Sequence, residues 1–204
     1  DRLDGGEGDD LLLGGAGRDR LDGGEGDDRL DGGEGDDSLF GGTGDDTLKG
    51  GSGDDFLAGG EGDDILAGGE GDDILAGEAG NDRLDGGEGD DTFVQDFRVS
   101  GNNTIADFNV GEDTIDFQGI DSDSEISITE TEDGNTLIDA GNGSTLTIAG
   151  VTPDQLSARN VEVNGEAVSG DNFNLQSALG GAADGGLDAL SGALGGEDVS
   201  YDDA

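Results

Sequence analysis

Gly23-Gly24-Glu25-Gly26-Asp27-Asp28-Arg29-Leu30-Asp31 decides the fold, because the chain keeps repeating it. From Gly5 to Val94 the sequence reads as ten consecutive nonapeptides close to G-G-x-G-x-D-x-L-x. A short fixed period means that each repeat is one structural unit stacked on its neighbours. The first position is Gly in every repeat, and the second is Gly in all but one, where Glu78 stands. The fourth is always Gly: Gly8, Gly17, Gly26, Gly35, Gly44, Gly53, Gly62, Gly71, Gly80 and Gly89. The sixth is always Asp: Asp10, Asp19, Asp28, Asp37, Asp46, Asp55, Asp64, Asp73, Asp82 and Asp91. The eighth is Leu until Phe93 replaces it in the last repeat. Asp1-Arg2-Leu3-Asp4 matches the end of one more unit, so a longer protein upstream is expected.

The pattern divides each unit into a Gly-rich turn of six residues and a short x-Leu-x strand whose middle side chain points inward. Glycine in the turn permits positive φ and close backbone approach. Two units then complete one coil. Leu12, Leu30, Leu48, Leu66 and Leu84 would stack on one wall, and Leu21, Leu39, Leu57, Leu75 and Phe93 on the other. With coils stacked at the strand spacing of about 4.8 Å, five of them span roughly 24 Å.

Composition sets a condition on this fold. The chain carries 52 acidic and 8 basic residues, a net charge of −44, and only 30% of it is hydrophobic. Such a chain repels itself and has little to bury, so it needs its charge neutralised before it folds. A multivalent cation is the obvious candidate. The same charge argues against nucleic acid or anionic membrane surfaces as partners, and no window is apolar for long enough to span a membrane. There is no Cys and no His, which serves zinc poorly. Calcium wants six to eight hard oxygens at flexible geometry, whereas magnesium insists on an octahedron and sheds water reluctantly. A Gly-rich turn exposes carbonyls, and the sixth-position Asp supplies charge.

Over residues 1–94 these features resemble the RTX (hemolysin-type) calcium-binding repeat of bacterial toxins, serralysin proteases, lipases and epimerases. The resemblance implies an all-β chain forming a right-handed parallel β-roll, with calcium held between stacked turns. In that family one turn gives the carbonyls of its second and fourth positions and its Asp, while the turn one coil later gives the carbonyls of its first and third positions and its own Asp. Carried over, Gly6, Gly8 and Asp10 would share an ion with Gly23, Glu25 and Asp28. Ten repeats paired in this way imply about eight calcium ions. The metal residues expected are therefore the ten sixth-position aspartates and, through their carbonyls, the ten fourth-position glycines named above. The site that uses Glu78 should be weaker. Position five varies (Asp9, Asp27 and Asp36, but Arg18) and reads as solvated charge.

Beyond the repeats, strands are expected at Thr92–Phe97, 103–108, Thr114–Phe117, Ile126–Thr129, Thr136–Asp139, 144–148 and Val161–Val163, with a short helical turn at 151–156. The cadence around Asn103-Thr104-Ile105-Ala106-Asp107-Phe108 and Asp113-Thr114-Ile115-Asp116-Phe117 is similar to the segment after the repeats in serralysin C-terminal domains, where Asp often stands in place of Asn103. Asp107 and Asp116 read as turn-capping or solvated carboxylates, with further calcium binding as the alternative. The chain thus divides into a calcium-binding β-roll (1–94), a β-rich cap over the open end of the solenoid (95–165) and a flexible tail (166–204), the last a candidate export signal for a type I secretion apparatus. The expected function is a calcium-dependent folding and secretion module of an extracellular, secreted bacterial protein. The alternatives are the C-terminal region of a secreted enzyme, its catalytic domain upstream, and a calcium-dependent adhesin or surface-layer spacer. This stretch carries no H-E-x-x-H, no G-x-S-x-G and no other catalytic constellation.

Overall fold

Leucine at a fixed interval lets successive coils stack in register, and the computed structural model of the protein, which describes residues 1–120 and 126–167, is built on that stacking. The repeats form ten six-residue strands: β1 (Arg2–Glu7), β2 (Leu11–Ala16), β3 (Arg20–Glu25), β4 (Arg29–Glu34), β5 (Ser38–Thr43), β6 (Thr47–Ser52), β7 (Phe56–Glu61), β8 (Ile65–Glu70), β9 (Ile74–Ala79) and β10 (Arg83–Glu88). Eight shorter strands follow: β11 (Thr92–Asp96), β12 (Asn102–Ile105), β13 (Thr114–Gln118), β14 (Ser127–Glu130), β15 (Thr136–Asp139), β16 (Thr145–Ile148), β17 (Val161–Val163) and β18 (Glu166–Ala167). Odd strands of the repeats build one sheet, in the order β1-β3-β5-β7-β9-β11-β13-β17-β18. Even strands build the other, β14-β15-β16-β12-β10-β8-β6-β4-β2. Every pair inside the repeats is parallel and eighteen residues apart, as in Leu21↔Leu39 and Leu30↔Leu48. The fold is a parallel β-solenoid. The two leucine rows are its core, with Leu21, Leu39, Leu48, Leu57, Leu66 and Leu75 fully buried.

The strands are longer than the x-Leu-x segments expected. Pairing runs Arg2↔Arg20, Leu3↔Leu21, Asp4↔Asp22, passes over Gly5, and resumes at Gly6↔Gly24 and Glu7↔Glu25. The chain bends at the first glycine, yet the two residues after it still hydrogen-bond to the neighbouring coil. The turn proper is reduced to positions four to six.

The two sheets continue past the repeats. Leu84 stacks on Ile105, which stacks on Ile148, and Phe93 stacks on Ile115, which stacks on Val161. One hydrophobic cluster runs from Leu12 to Val163. Antiparallel strands end both stacks: β14 and β15 fold against β16, and β18 pairs with β17. This reversal covers parallel edges that would otherwise offer a ladder to another chain. In place of a helical turn over 151–156 there is one turn closed by Gln155 N–H on Thr152 O, and the only helical residues described are a 3-10 turn at Ala158–Asn160. Apart from Glu166 and Ala167, the expected tail lies outside the described residues. Among the described residues no helix is long and apolar enough to cross a membrane.

Candidate metal centre

Because two repeats make one coil, the sixth-position aspartates fall into two columns, one along each edge of the roll: Asp10, Asp28, Asp46, Asp64 and Asp82 on one, and Asp19, Asp37, Asp55, Asp73 and Asp91 on the other. Within each column the carboxylates are chained through the main chain. Asp10 N–H donates to Asp28 Oδ1 at 2.7 Å, Asp28 N–H to Asp46 Oδ1 at 2.7 Å, and Asp73 N–H to Asp91 Oδ1 at 3.0 Å. Apart from Asp10, which begins its column, one oxygen of each side chain thus reaches back to the preceding coil and fixes the rotamer. The other oxygen, Oδ2, is buried and has no hydrogen-bond partner in any of the ten. Asp28 as a residue is only 1% exposed. Leaving so many buried carboxylate oxygens unpaired costs free energy at every one, since buried charge is tolerated only when paired or metal-bound.

The glycines shape the space that these oxygens face. A Cβ on Gly5 would stand 2.6 Å from Gly23 O and 2.7 Å from Asp10 Oδ2, so the first position must be empty for those two oxygens to lie side by side. The carbonyl oxygens of Gly6 and Gly8 face Gly24 and Gly26 of the next coil, closely enough that neither could carry a side chain. Gly8 N–H donates to Glu25 O at 2.6 Å, which directs that third-position carbonyl down at the turn below. Gly6, Gly8, Asp10, Gly23, Glu25 and Asp28 therefore meet between the same two turns. The arrangement recurs along both columns, with each fourth-position glycine, from Gly8 to Gly71, donating to the third-position carbonyl of the next coil.

Electrostatics follow from this burial. Desolvation pushes the carboxyl groups of Asp46, Asp55, Asp82 and Asp91 up to about 6, and those of Asp64 and Asp73 up to about 7. The main-chain N–H on Oδ1 opposes the shift, and the negative charges of neighbouring aspartates add to it. From Asp37 to Asp91 the sixth-position carboxyl groups resist ionising unless a cation joins them. The donors are all oxygen, carboxylate and carbonyl, which suits a hard divalent ion. Among the described residues no three acidic side chains gather as a metal cluster, so any bound ion leans on main-chain carbonyls.

Position five does more than solvate. Asp9, Asp27, Asp45, Asp63 and their counterparts are exposed, but each accepts the N–H of the fifth residue one coil later, as in Asp63 N–H to Asp45 Oδ1 at 2.9 Å. Where Arg18 interrupts this row it pairs with Asp36. Beyond the repeats, Asp107 accepts from Gly86 N–H and Gly87 N–H, and Asp116 accepts from Gly165 N–H and from the Gln118 side chain.

Residues 1–30, 31–66 and 58–93 match the RTX calcium-binding nonapeptide repeat. No curated protein matches the chain. Among solved structures, the extracellular lipase LipA from Serratia marcescens is similar at 22% identity and a TM-score of 0.35, over 77% of this chain and 38% of the lipase. The chain thus spans well under half the length of that enzyme. The R3 subunit of the mannuronan C5-epimerase AlgE6 from Azotobacter vinelandii is similar at 23% identity and a TM-score of 0.36, over 84% of this chain and 87% of the subunit.

Proposed function

We propose, from the premise that residues 1–93 of this chain are RTX calcium-binding repeats, that it is a calcium-dependent folding and secretion module of an extracellular protein. The observation that carries this is the set of ten sixth-position aspartates whose buried Oδ2 atoms find no partner within the protein. Bound calcium supplies the positive charge those oxygens lack. The protein's own residues do the rest. Sixth-position aspartates such as Asp28 and Asp46 give carboxylate oxygens. Fourth-position glycines such as Gly26 and Gly44 give carbonyls and the tight backbone that aims them. The leucines hold the turns at one spacing. Each repeat works with the one two places on, so ten repeats make eight sites of this kind.

The consequence is a fold conditional on its ion. At the low calcium of a cytosol the carboxylates repel and the chain stays extended, a form suited to export through a type I apparatus. Outside the cell, the free energy of calcium binding becomes free energy of folding. Circular dichroism during a calcium titration tests this, with EGTA reversal and a magnesium control. A cooperative gain of β signal with calcium alone is expected. A signal that is the same with and without millimolar calcium would remove the proposal.

A further inference from the structure

Both aspartate columns run on past the last repeat. Asp82 N–H donates to Asn103 Oδ1 at 3.0 Å, and Asp91 N–H donates to Asp113 Oδ1 at 3.2 Å. The intervals are 21 and 22 residues instead of 18, which hides the continuation from a search for the period. On the first edge, Gly80 N–H donates to Ser100 O and Gly101 packs on the Gly80 carbonyl, so 100–103 takes places three to six of one more turn. On the second edge Asp107 and Asp113 lie over the last repeat through their side chains, without a counterpart of the Gly80–Ser100 bond among the described residues. Asp107 lies over Gly86 and Gly87, and Asp113 completes the column.

Asp10 Oδ2 lies beside the Gly23 carbonyl of the following coil, while Oδ1 of the later aspartates, such as Asp28, faces the preceding one. Asp82 Oδ2 and Asp91 Oδ2 hold the same place beside the first glycines of their own turns, Gly77 and Gly86, although the nearest atoms to those glycines include no carbonyl of the next turn. Both aspartates are almost completely buried, at 2% and 1% exposure, and neither Oδ2 has a partner. Eight sites between repeats leave these two oxygens with no ion.

We infer that Asp91 and Asp113 hold one further calcium ion beneath the cap. This rests on the reading of the repeats as calcium sites. Asp113 is buried like the repeat aspartates, and it accepts one N–H on each oxygen, from Asp91 and Asn109. A carboxylate has about four lone-pair positions, so both oxygens keep capacity for a cation. The opposite edge differs by one group. Asn103 puts a neutral amide where Asp113 puts a charge, and its Nδ2 is spent on Gln95 Oε1 at 3.2 Å. Calcium affinity follows the number of charged ligands, so the Asp82 place is the weaker one. The cap thereby joins one edge of the roll through metal and the other through hydrogen bonds.

Equilibrium dialysis of the whole chain against calcium, over a magnesium background, counts the ions. The wild type should hold one more than the eight of the repeats. Asp113→Asn should lose one, and Asn103→Asp should gain one. A wild-type count of eight, unchanged by Asp113→Asn, overturns the inference and leaves the repeat sites standing. A wild-type count near zero removes the repeat sites themselves. If Asp113→Asn fails to regain its β signal at saturating calcium, the wild-type count and the gain in Asn103→Asp decide instead. Nine with a gain upholds the inference, and eight, or no gain, overturns it.

Discussion

Glycine is required at neighbouring positions of this repeat for two different reasons. Gly5 has no left-handed backbone; it is glycine because a Cβ would collide with the Gly23 carbonyl and Asp10 Oδ2. Gly24 has φ of +111° and in addition lies against the Gly6 carbonyl, so both conformation and space exclude a side chain. Glu78 occupies a second position and is held at φ of 70°, where a residue with a Cβ is strained by roughly 1–2 kcal/mol. Replacing Glu78 by Gly should stabilise the calcium-loaded fold by about 1 kcal/mol, seen as a higher urea midpoint at fixed calcium. The aspartates allow a sharper comparison. Asp46→Asn keeps an oxygen for the Asp28 N–H but removes a charge that serves the turns on both sides. Asp45→Asn keeps the oxygen that takes the Asp63 N–H and removes only an exposed charge. The first change should raise the calcium midpoint several-fold and lower the cooperativity of the dichroism titration. The second should leave the midpoint nearly in place. Equal effects would mean that position six has no special role in coordination.

At the scale of the strand, stability comes from a single inward side chain per repeat. Leu48 lies between Leu30 and Leu66 in its row and is fully buried. With a core this thin, nothing is positioned to fill the gap that Leu48→Ala would leave, and the cost should be about 3 kcal/mol, read as a fall in thermal midpoint at saturating calcium. Those rows were legible in the sequence, because an eighth-position leucine at a constant interval leaves one way to stack. Strand length was not. Gly6 and Glu7 pair with the next coil, yet glycine is a poor strand former and marks a turn in any local reading. The fifth-position ladder escaped for a similar reason: an exposed, variable acid reads as solvated charge until the next coil brings an N–H to it. The degenerate turns at 100–103 and 107–113 were hidden by insertions that shift the interval by three and four residues. Asn103, standing where an acid is usual, and Asp107, a carboxylate just past the repeats, are the residues that hint at them.

The whole molecule is governed by competition between protons and calcium for one set of oxygens. Burial raises the sixth-position carboxyl groups from an ordinary 3.8 to about 6 for Asp46 and Asp55, and to about 7 for Asp64 and Asp73. Between those limits the folded state without calcium binds more protons than the unfolded one. Its stability therefore falls as pH rises from about 4 to about 7 and is greatest below that window, the reverse of a carboxylate held in an ion pair. With a net charge of −44, overall repulsion acts in the same direction. The calcium-free chain should thus gain β signal on acidification from pH 7 to about 4 and lose it on return. Calcium reverses the sign. Binding needs the ionised form, so the ion must displace the protons that acidification adds to the turns; its midpoint should stay level from pH 8 to 7, where the calcium-free chain is extended and ionised, and rise as pH falls from about 6 to about 4. Dichroism titrations at pH 6, 5 and 4 with matched ionic strength measure both effects. A midpoint that stays constant across that range would show that the buried aspartates are ionised before the ion arrives. In that case the energy of the empty fold lies in charge repulsion along the columns and not in the burial of each carboxylate.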